Sequence, residues 1–152
     1  REFAPRLLAL ARLLLGERHE AEDVVQEAFL RTWERWDDPD VRDHALPWLL
    51  RVVRNRCIDL RRVHAPVLGL DRDAAARAPT DEQGARVWSL GQVTSAVRRL
   101  PEPHASILLL RFAQKLSYEE IARVLEVPIG TAKSQLSRAL ALLRAELAGR
   151  TP

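Results

Sequence analysis

Apolar residues recur through most of this chain at intervals of three and four, which is the spacing of an amphipathic helix. The first repeat stops at Gly16, a typical helix end. Its apolar face consists of Leu7, Leu10, Ala11 and Leu14. The apolar face of the second repeat consists of Val24, Val25, Ala28, Phe29 and Trp33. Since no segment convincingly alternates apolar and polar residues as a half-buried strand does, the pattern predicts an all-α fold.

Two helical regions flank a segment of different composition. The run Asp37-Asp38-Pro39-Asp40 breaks the second repeat, and a third helix is predicted from about Pro47 to Val63, with the proline in its first turn. The next segment has no sustained apolar face and contains Pro66, Gly69, Pro79 and Gly84. We therefore predict two small helical domains, residues 1–64 and 87–149, joined by a flexible linker over residues 65–86. Each domain is short for an independent core, so we expect the two to pack on each other or to be completed by a larger partner.

The second domain contains the signals of a helix-turn-helix. Ser117 and Glu120 form a capping box at the start of a short helix. The residues Glu126-Val127-Pro128 then make a tight turn, and a new helix begins around Ile129 to Thr131. In a helix-turn-helix the second helix lies in the major groove of DNA.

The helix after this turn has an apolar face and a polar face. The inward residues are predicted to be Ala132, Leu136, Ala139, Leu140 and Leu143. The outward residues are Thr131, Lys133, Ser134, Gln135, Ser137 and Arg138. Small hydroxyls, an amide and basic groups suit phosphates and base edges in a groove. A helical hairpin with a solvated face is the alternative interpretation.

The third predicted helix carries an arginine-rich face. Its inner face consists of Leu49, Val53, Cys57 and Leu60. The outer face presents Arg51, Asn55 and Arg62, with Arg54 and Arg61 along one edge. This face is a candidate phosphate-and-base surface, and a solvated arginine-rich helix is the alternative.

The first domain also contains aromatic and acidic clusters. One or more of Trp33, Trp36 and Trp48 could stack on an unpaired base, although we expect Trp33 to pack in the core. The acidic cluster Glu20, Glu22, Asp23, Gln26 and Glu27 is explained, on the residues alone, by compensation of the helix dipole.

Composition and charge narrow the function without deciding it. The net charge of +3 and the isoelectric point of about 9.7 are compatible with a nucleic-acid surface. Cys57 is the single cysteine, which rules out a disulfide within the chain and favours a reducing cytoplasm. No apolar run reaches transmembrane length, so no membrane insertion is expected. Because the chain begins at Arg1 and contains no methionine, we expect the natural N-terminus to lie upstream.

Catalysis is not indicated by these residues. The histidines and Cys57 have no metal-ligand spacing, and no glycine-rich phosphate loop occurs. We therefore expect neither an enzyme nor a cofactor. A stand-alone helix-turn-helix regulator remains an alternative function, but it would not explain the acidic and arginine-rich helices of the first domain.

Three segments in order resemble bacterial RNA polymerase sigma factors of the extracytoplasmic-function (ECF) group. They are AEDVVQEAFLRTWERW, PWLLRVVRNRCIDLRR and LSYEEIARVLEVPIGTAKSQLSRALALLR. The resemblance implies that the two domains are sigma domains two and four, which bind core RNA polymerase and direct it to promoter DNA. It also implies an anti-sigma protein that masks both domains.

The resemblance implies a role for each candidate surface. Asp23, Gln26 and Glu27 would dock on the clamp helices of the polymerase's largest subunit. The minus-ten element would meet the helix with Arg51, Arg54, Asn55, Arg61 and Arg62. In that set Asn55 would lie near a flipped-out base, and the segment from Trp36 to Leu46 would shape the pocket for that base. The helix from Gly130 would read the minus-thirty-five element as a duplex.

Three residues depart from the family pattern. Glu126 stands where the family often has glycine, so we expect strain or a different shape in the turn. Gln135 stands where arginine is frequent, which leaves the promoter sequence open. Ala132 replaces a usual valine, a mild change in the core.

Overall fold

The first half of the chain forms a bundle of helices. In the computed structural model, which describes residues 2–16, 20–68 and 88–149, this first bundle contains α1 (Ala4–Leu15), α2 (Glu20–Glu34), α3 (Pro39–Asp43) and α4 (Ala45–Leu68). Gly16 ends α1 with φ of 75°, and its N–H donates to the Arg12 carbonyl at 2.8 Å. The predicted helix stop is therefore confirmed, because glycine adopts this φ without a steric penalty.

The acidic run after α2 does more than interrupt a helix. The Asp38 carboxylate accepts a hydrogen bond from the Asp40 N–H at 3.0 Å, and Pro39 occupies the first turn, so this run starts the short α3. The run that was predicted only to break the second repeat thus also begins a helix. At its far end α4 continues to Leu68, beyond the predicted end at Val63, and the remaining linker residues, 69–86, lie outside the described residues.

The second half of the chain forms a second bundle. It consists of α5 (Leu90–Arg99), α6 (His104–Leu108) with a following π-helical turn (Leu109–Ala113), α7 (Tyr118–Leu125) and α8 (Ile129–Ala148). The helical stretch that begins at His104 therefore changes from α-helical to π-helical geometry at Leu109. No strand occurs in the part of the chain that the structure describes, and the predicted all-α class is confirmed.

The two bundles share one apolar core, so the first of the two predicted arrangements is correct. Helix α4 packs on α1 and α2 within its own bundle and on α7 of the other. Fully buried side chains of this continuous core include Leu10, Leu50, Leu110 and Ile121. A hydrogen-bonded pair also joins the bundles, since Arg6 donates to the Gln114 carbonyl at 2.6 Å and the Gln114 amide donates to the Arg6 carbonyl at 3.0 Å.

The predicted core position of Trp33 is wrong. Trp33 is 76% exposed, whereas the neighbouring Thr32 is buried. The Thr32 hydroxyl donates to the Ala28 carbonyl at 2.7 Å, so this polar side chain can occupy the inner face without an unsatisfied group. With Thr32 inside, the helical rotation of about 100° per residue turns Trp33 outward.

Candidate nucleic-acid and polymerase interfaces

Helix α2 presents an acidic and apolar stripe to solvent. Of the three residues predicted to bind polymerase, Asp23 and Gln26 are exposed, and Glu27 is half-buried. The same stripe contains Leu30, which is 66% exposed, and Trp33, which is 76% exposed. Successive steps of three, four and three residues lead from Asp23 through Gln26 and Leu30 to Trp33, which places these side chains on one face. Large apolar side chains exposed beside carboxylates are typical of a protein-binding surface.

Glu27 differs from its neighbours because its carboxylate is already paired. Arg31 approaches one carboxylate oxygen at 2.7 Å, and Arg56 of α4 approaches the other at 3.2 Å. Glu27 therefore links α2 to α4, and it is less available to a partner than Asp23.

The inner face of α4 agrees with the sequence prediction. Leu49, Val53 and Cys57 are buried, and Leu60 packs at the edge of the core. Burial raises the pKa of the Cys57 thiol from 9.0 to about 12, and the nearby Arg61 and Arg56 lower it by less. Cys57 is thus a neutral core side chain.

The outer face of α4 is divided into exposed and engaged residues. Asn55 and Arg62 are exposed, but the Arg54 and Arg61 side chains are only 15% and 22% exposed. Both contact Glu102 of the second bundle, Arg54 at 3.4 Å and Arg61 at 3.2 Å. Arg61 also donates to the Arg98 carbonyl at 2.6 Å. The structure therefore brings two predicted minus-ten residues together around one carboxylate.

Arg51 makes a second contact between the bundles. Its guanidinium donates to the Arg123 carbonyl at 2.6 Å and pairs with the Glu126 carboxylate at 3.2 Å. Glu126 ends α7 with φ of 57° and ψ of 47°. The strain expected at this position is present, because a side chain disfavours the left-handed region.

The tryptophans of the first bundle occupy different environments. Trp48 is half-buried, with the Arg35 and Arg51 guanidiniums 4.9 Å and 5.4 Å from its ring centroid. These cations cover the ring, so it is not available for stacking in this arrangement. Trp36 is 43% exposed and precedes α3, where an unpaired base could reach it.

Helix α8 is the second helix of the helix-turn-helix. The Ser117–Glu120 capping box is present, with both hydrogen bonds at 3.1 Å. On α8 the inner residues Ala132, Leu136 and Ala139 are buried, as predicted. The exposed residues are Lys133, Ser134, Ser137 and Arg138.

Two predicted groove residues lie at the edge of this exposed face. Thr131 and Gln135 are half-buried rather than outward, and the Gln135 Oε1 is a buried acceptor without a hydrogen bond. At the start of α8, Pro128 supplies no side-chain cap, and a Cβ at Gly130 would meet nothing within 4 Å. The amides of this first turn can therefore approach a phosphate.

Other classes of site find no support in the described ranges 2–16, 20–68 and 88–149. Within them, no three His, Cys, Asp or Glu side chains come together as metal ligands. Likewise, none of the described helices combines the length and apolarity needed to span a membrane.

Comparison with known proteins identifies the family. Residues 1–66 match the family model of sigma-70 region 2, and residues 90–143 match that of sigma-70 region 4. The chain is also 32% identical over 153 residues to the ECF RNA polymerase sigma factor SigL of Mycobacterium tuberculosis, covering 96% of this chain and 85% of that protein. This chain belongs to the ECF RNA polymerase sigma factors. It is therefore a sigma factor that acts in transcription initiation, as the resemblance implied.

Other relatives of this sigma factor agree with that assignment. It is 28% identical to the ECF sigma factor SigW of Bacillus subtilis, over 95% of this chain and 84% of the relative. Among solved structures, the sigma factor RpoE of Bartonella quintana, crystallised with the anti-sigma factor NepR, matches with a TM-score of 0.69 and 27% identity. That match covers 97% of this chain and 92% of RpoE, so it includes both bundles.

Sequence reasoning left Leu30 and Glu102 out of the candidate interfaces of this sigma factor and assigned Trp33 to the core. Leu30 and Trp33 could have been found, because helical spacing places them in line with Asp23. Glu102 left no local signal, since it meets Arg54 and Arg61 across 48 and 41 residues of chain.

Proposed function

We propose that this sigma factor uses three separate surfaces during initiation. Helix α2 binds core RNA polymerase, the outer face of α4 contacts the melted minus-ten strand, and α8 reads the minus-thirty-five element as a duplex. The observation that carries the proposal is the exposed face of α8. Lys133, Ser134 and Arg138 extend from the second helix of a helix-turn-helix, where a major groove accommodates them.

The α4 surface is suited to a single strand. Exposed Asn55 and Arg62 lie beside the engaged pair Arg54 and Arg61, so four polar or cationic groups follow one helix. Guanidiniums bind phosphates, and Asn55 can hydrogen-bond the edge of an unstacked base. Trp36, which is 43% exposed and lies just before α3 in the sequence, offers a surface on which a base can stack.

The α2 stripe supports polymerase binding. Asp23 and Gln26 supply polar contacts at the edge of the exposed Leu30 and Trp33. An aromatic anchor with a carboxylate beside it fits a partner surface that combines an apolar groove with basic side chains.

Partners and location complete the proposal. We propose that an anti-sigma factor binds this chain and holds it inactive. The similar RpoE was crystallised in complex with the anti-sigma factor NepR. The chain has no catalytic reaction of its own and works in the cytoplasm, where the polymerase and the promoter are. A stand-alone helix-turn-helix regulator is not favoured, because the α2 stripe would then have no purpose.

Reconstituted transcription tests the function as a whole. The chain, added to core polymerase, is expected to start transcription at a promoter carrying its minus-thirty-five and minus-ten elements. Tight binding of the chain alone to a cognate duplex, without any promoter-dependent initiation, would instead identify a stand-alone regulator.

Charge reversal on α2 tests the polymerase surface. Asp23→Arg is expected to abolish binding to core polymerase while the circular dichroism spectrum stays unchanged, because the residue is exposed. Asp59→Arg, the same change on an exposed residue of α4, is the control. Equal polymerase affinity of the two variants would refute the docking role of α2.

Truncation on α8 tests duplex recognition. Arg138→Ala is expected to weaken minus-thirty-five binding by about 1–3 kcal/mol, if the guanidinium reaches a base edge, and to relax specificity at one position. Arg144→Ala, at an exposed position nearer the end of α8, is the control. A wild-type footprint for Arg138→Ala would remove that residue from the interface.

A further inference from the structure

The minus-ten surface is partly covered by the chain's own second bundle. Arg54 contacts one carboxylate oxygen of Glu102 at 3.4 Å, and Arg61 contacts the other at 3.2 Å. The Glu102 side chain is 22% exposed, and the two guanidiniums are 22% exposed or less. Such partly buried pairs are screened less by salt than pairs on the open surface.

The chemistry of this contact resembles that of a bound phosphate. The guanidinium of arginine is a planar fork of N–H donors, and it can bind two oxygens of either a carboxylate or a phosphate through parallel hydrogen bonds. Glu102 presents two oxygens to two arginines, and its Oε2 also accepts from the Ser106 hydroxyl at 2.5 Å. Ser106 is fully buried, so this hydrogen bond holds the carboxylate in position.

A second contact acts on the same helix. Arg51 is held by the Arg123 carbonyl and the Glu126 carboxylate. Glu126 maintains this contact from a left-handed backbone conformation that favours glycine. Strain retained at a contact between bundles points to a role for the side chain there.

The two DNA surfaces are not covered equally. The groove-facing residues Lys133, Ser134 and Arg138 remain exposed, whereas Arg51, Arg54 and Arg61 are engaged. The arrangement therefore engages three arginines of the single-strand surface, although Asn55 and Arg62 stay exposed, and it leaves these duplex contacts open.

We propose that Glu102 is an intramolecular phosphate mimic that closes the minus-ten surface of the free sigma factor. The DNA strand and Glu102 compete for Arg54 and Arg61, so strand binding requires the two bundles to separate. The inference rests on the proposed minus-ten role of α4. It adds a closed state that the chain forms without any inhibitor.

Removal of the charge on Glu102 tests this competition in the full-length chain. When only an open fraction binds, the apparent Kd is the intrinsic Kd divided by that fraction. Glu102→Gln is expected to bind a fluorescently labelled single-stranded oligo(dT) about tenfold more tightly than wild type, because the loss of a charged hydrogen bond favours the open form. The oligo(dT) probe reports phosphate contacts without requiring the promoter sequence.

Two further variants serve as comparisons for the effect of Glu102→Gln on oligo(dT) binding. Glu126→Gln is expected to tighten binding by about twofold or less, because the Glu126 carboxylate is 66% exposed and Arg51 keeps its bond to the Arg123 carbonyl. Glu119→Gln makes the same charge change on an exposed residue of the second bundle and is expected to bind like wild type. Circular dichroism and thermal midpoints confirm that the variants are folded.

Separation of the bundles is measured by energy transfer between two dyes. Ala9 and Ala145 are exposed alanines, one in each bundle, and cysteines introduced there accept the dyes. Cys57 stays unlabelled because it is fully buried with its pKa raised to about 12. Transfer is expected to fall in Glu102→Gln and on addition of oligo(dT) to wild type.

The outcomes separate this inference from the proposed function. Lower energy transfer in Glu102→Gln without tighter oligo(dT) binding would overturn the phosphate-mimic role. Promoter-dependent transcription by wild type, combined with unchanged binding and transfer in Glu102→Gln, would overturn the inference alone. Tighter binding by Glu102→Gln without any transcription by wild type would support the closed state and overturn the proposed function.

Discussion

The backbone conformation of Glu126 can be tested by comparing two variants that both lack its side-chain ion pair. Glu126 has φ of 57° and ψ of 47°, in the left-handed region, and its carboxylate pairs with Arg51 at 3.2 Å. Glu126→Gly and Glu126→Ala both remove this ion pair. They differ only in backbone preference, so the difference between the variants isolates the strain.

The magnitude follows from two opposing terms. A residue with a Cβ costs about 1–2 kcal/mol in the left-handed region, which favours glycine. Glycine also has more freedom in the unfolded chain, which favours alanine by about 0.4–1 kcal/mol. We therefore expect Glu126→Gly to be more stable than Glu126→Ala by about 1 kcal/mol.

The stability of each variant can also be compared with that of wild type. The lost ion pair costs only a few tenths of a kcal/mol, because the Glu126 side chain is 66% exposed. Relief of strain in Glu126→Gly exceeds this loss, so that variant should equal or slightly exceed wild type. Glu126→Ala keeps the strain, loses the pair and should be less stable.

Urea unfolding followed by circular dichroism at 222 nm measures the difference. With an m-value near 2 kcal/mol/M, about 1 kcal/mol separates the two midpoints by about 0.5 M. The m-values should agree between variants, since neither change alters the surface exposed on unfolding. Coincident midpoints, or a more stable Glu126→Ala, would refute the argument that the turn is strained.

Three further predictions concern individual side chains. Because the pKa of Cys57 rises from 9.0 unfolded to about 12 folded, its contribution to stability is full below pH 9 and is lost as the pH rises towards 12. At pH 10 the loss in the free energy of unfolding is about 1.4 kcal/mol. Between pH 8 and pH 10, wild type should therefore lose about that much stability relative to Cys57→Ala. Parallel profiles of unfolding free energy against pH for the two proteins would contradict this. Ser117→Ala removes the cap of α7 and should cost about 0.5–2 kcal/mol in urea unfolding, whereas an unchanged midpoint would show that the cap is dispensable. Leu50→Ala empties a fully buried position and should cost about 2–5 kcal/mol, and a loss below 1 kcal/mol would mean that the core closes over the cavity.

The helices and their caps were the most predictable features, since their signals lie within one or two turns. Gly16 ends α1 and the Ser117–Glu120 box starts α7, as the residues indicated. The inner faces of α4 and α8 also follow from spacing. The short α3 and the π-helical turn after α6 were not predicted, because each depends on a few residues whose local signals also suit a turn.

The sequence predicted most residues of the candidate site, but it did not predict which of them are exposed and which are buried or paired. The arginines of α4 and the polar face of α8 could be named from residue type and spacing. Burial reversed the expectation for Trp33, because a single hydrogen bond allows Thr32 to take the inner position. That outcome depends on small differences in helix rotation that hydrophobicity alone does not resolve.

The sequence by itself determined the all-α class, the helix-turn-helix, the family and the surfaces that carry positive and acidic groups. These follow from periodicity, caps and residue order, which act over short distances along the chain. Only the tertiary structure decided that the bundles share a core and that Glu102 lies between Arg54 and Arg61. Contacts between residues separated by 41 and 48 positions depend on how whole helices pack, and no local pattern encodes that placement.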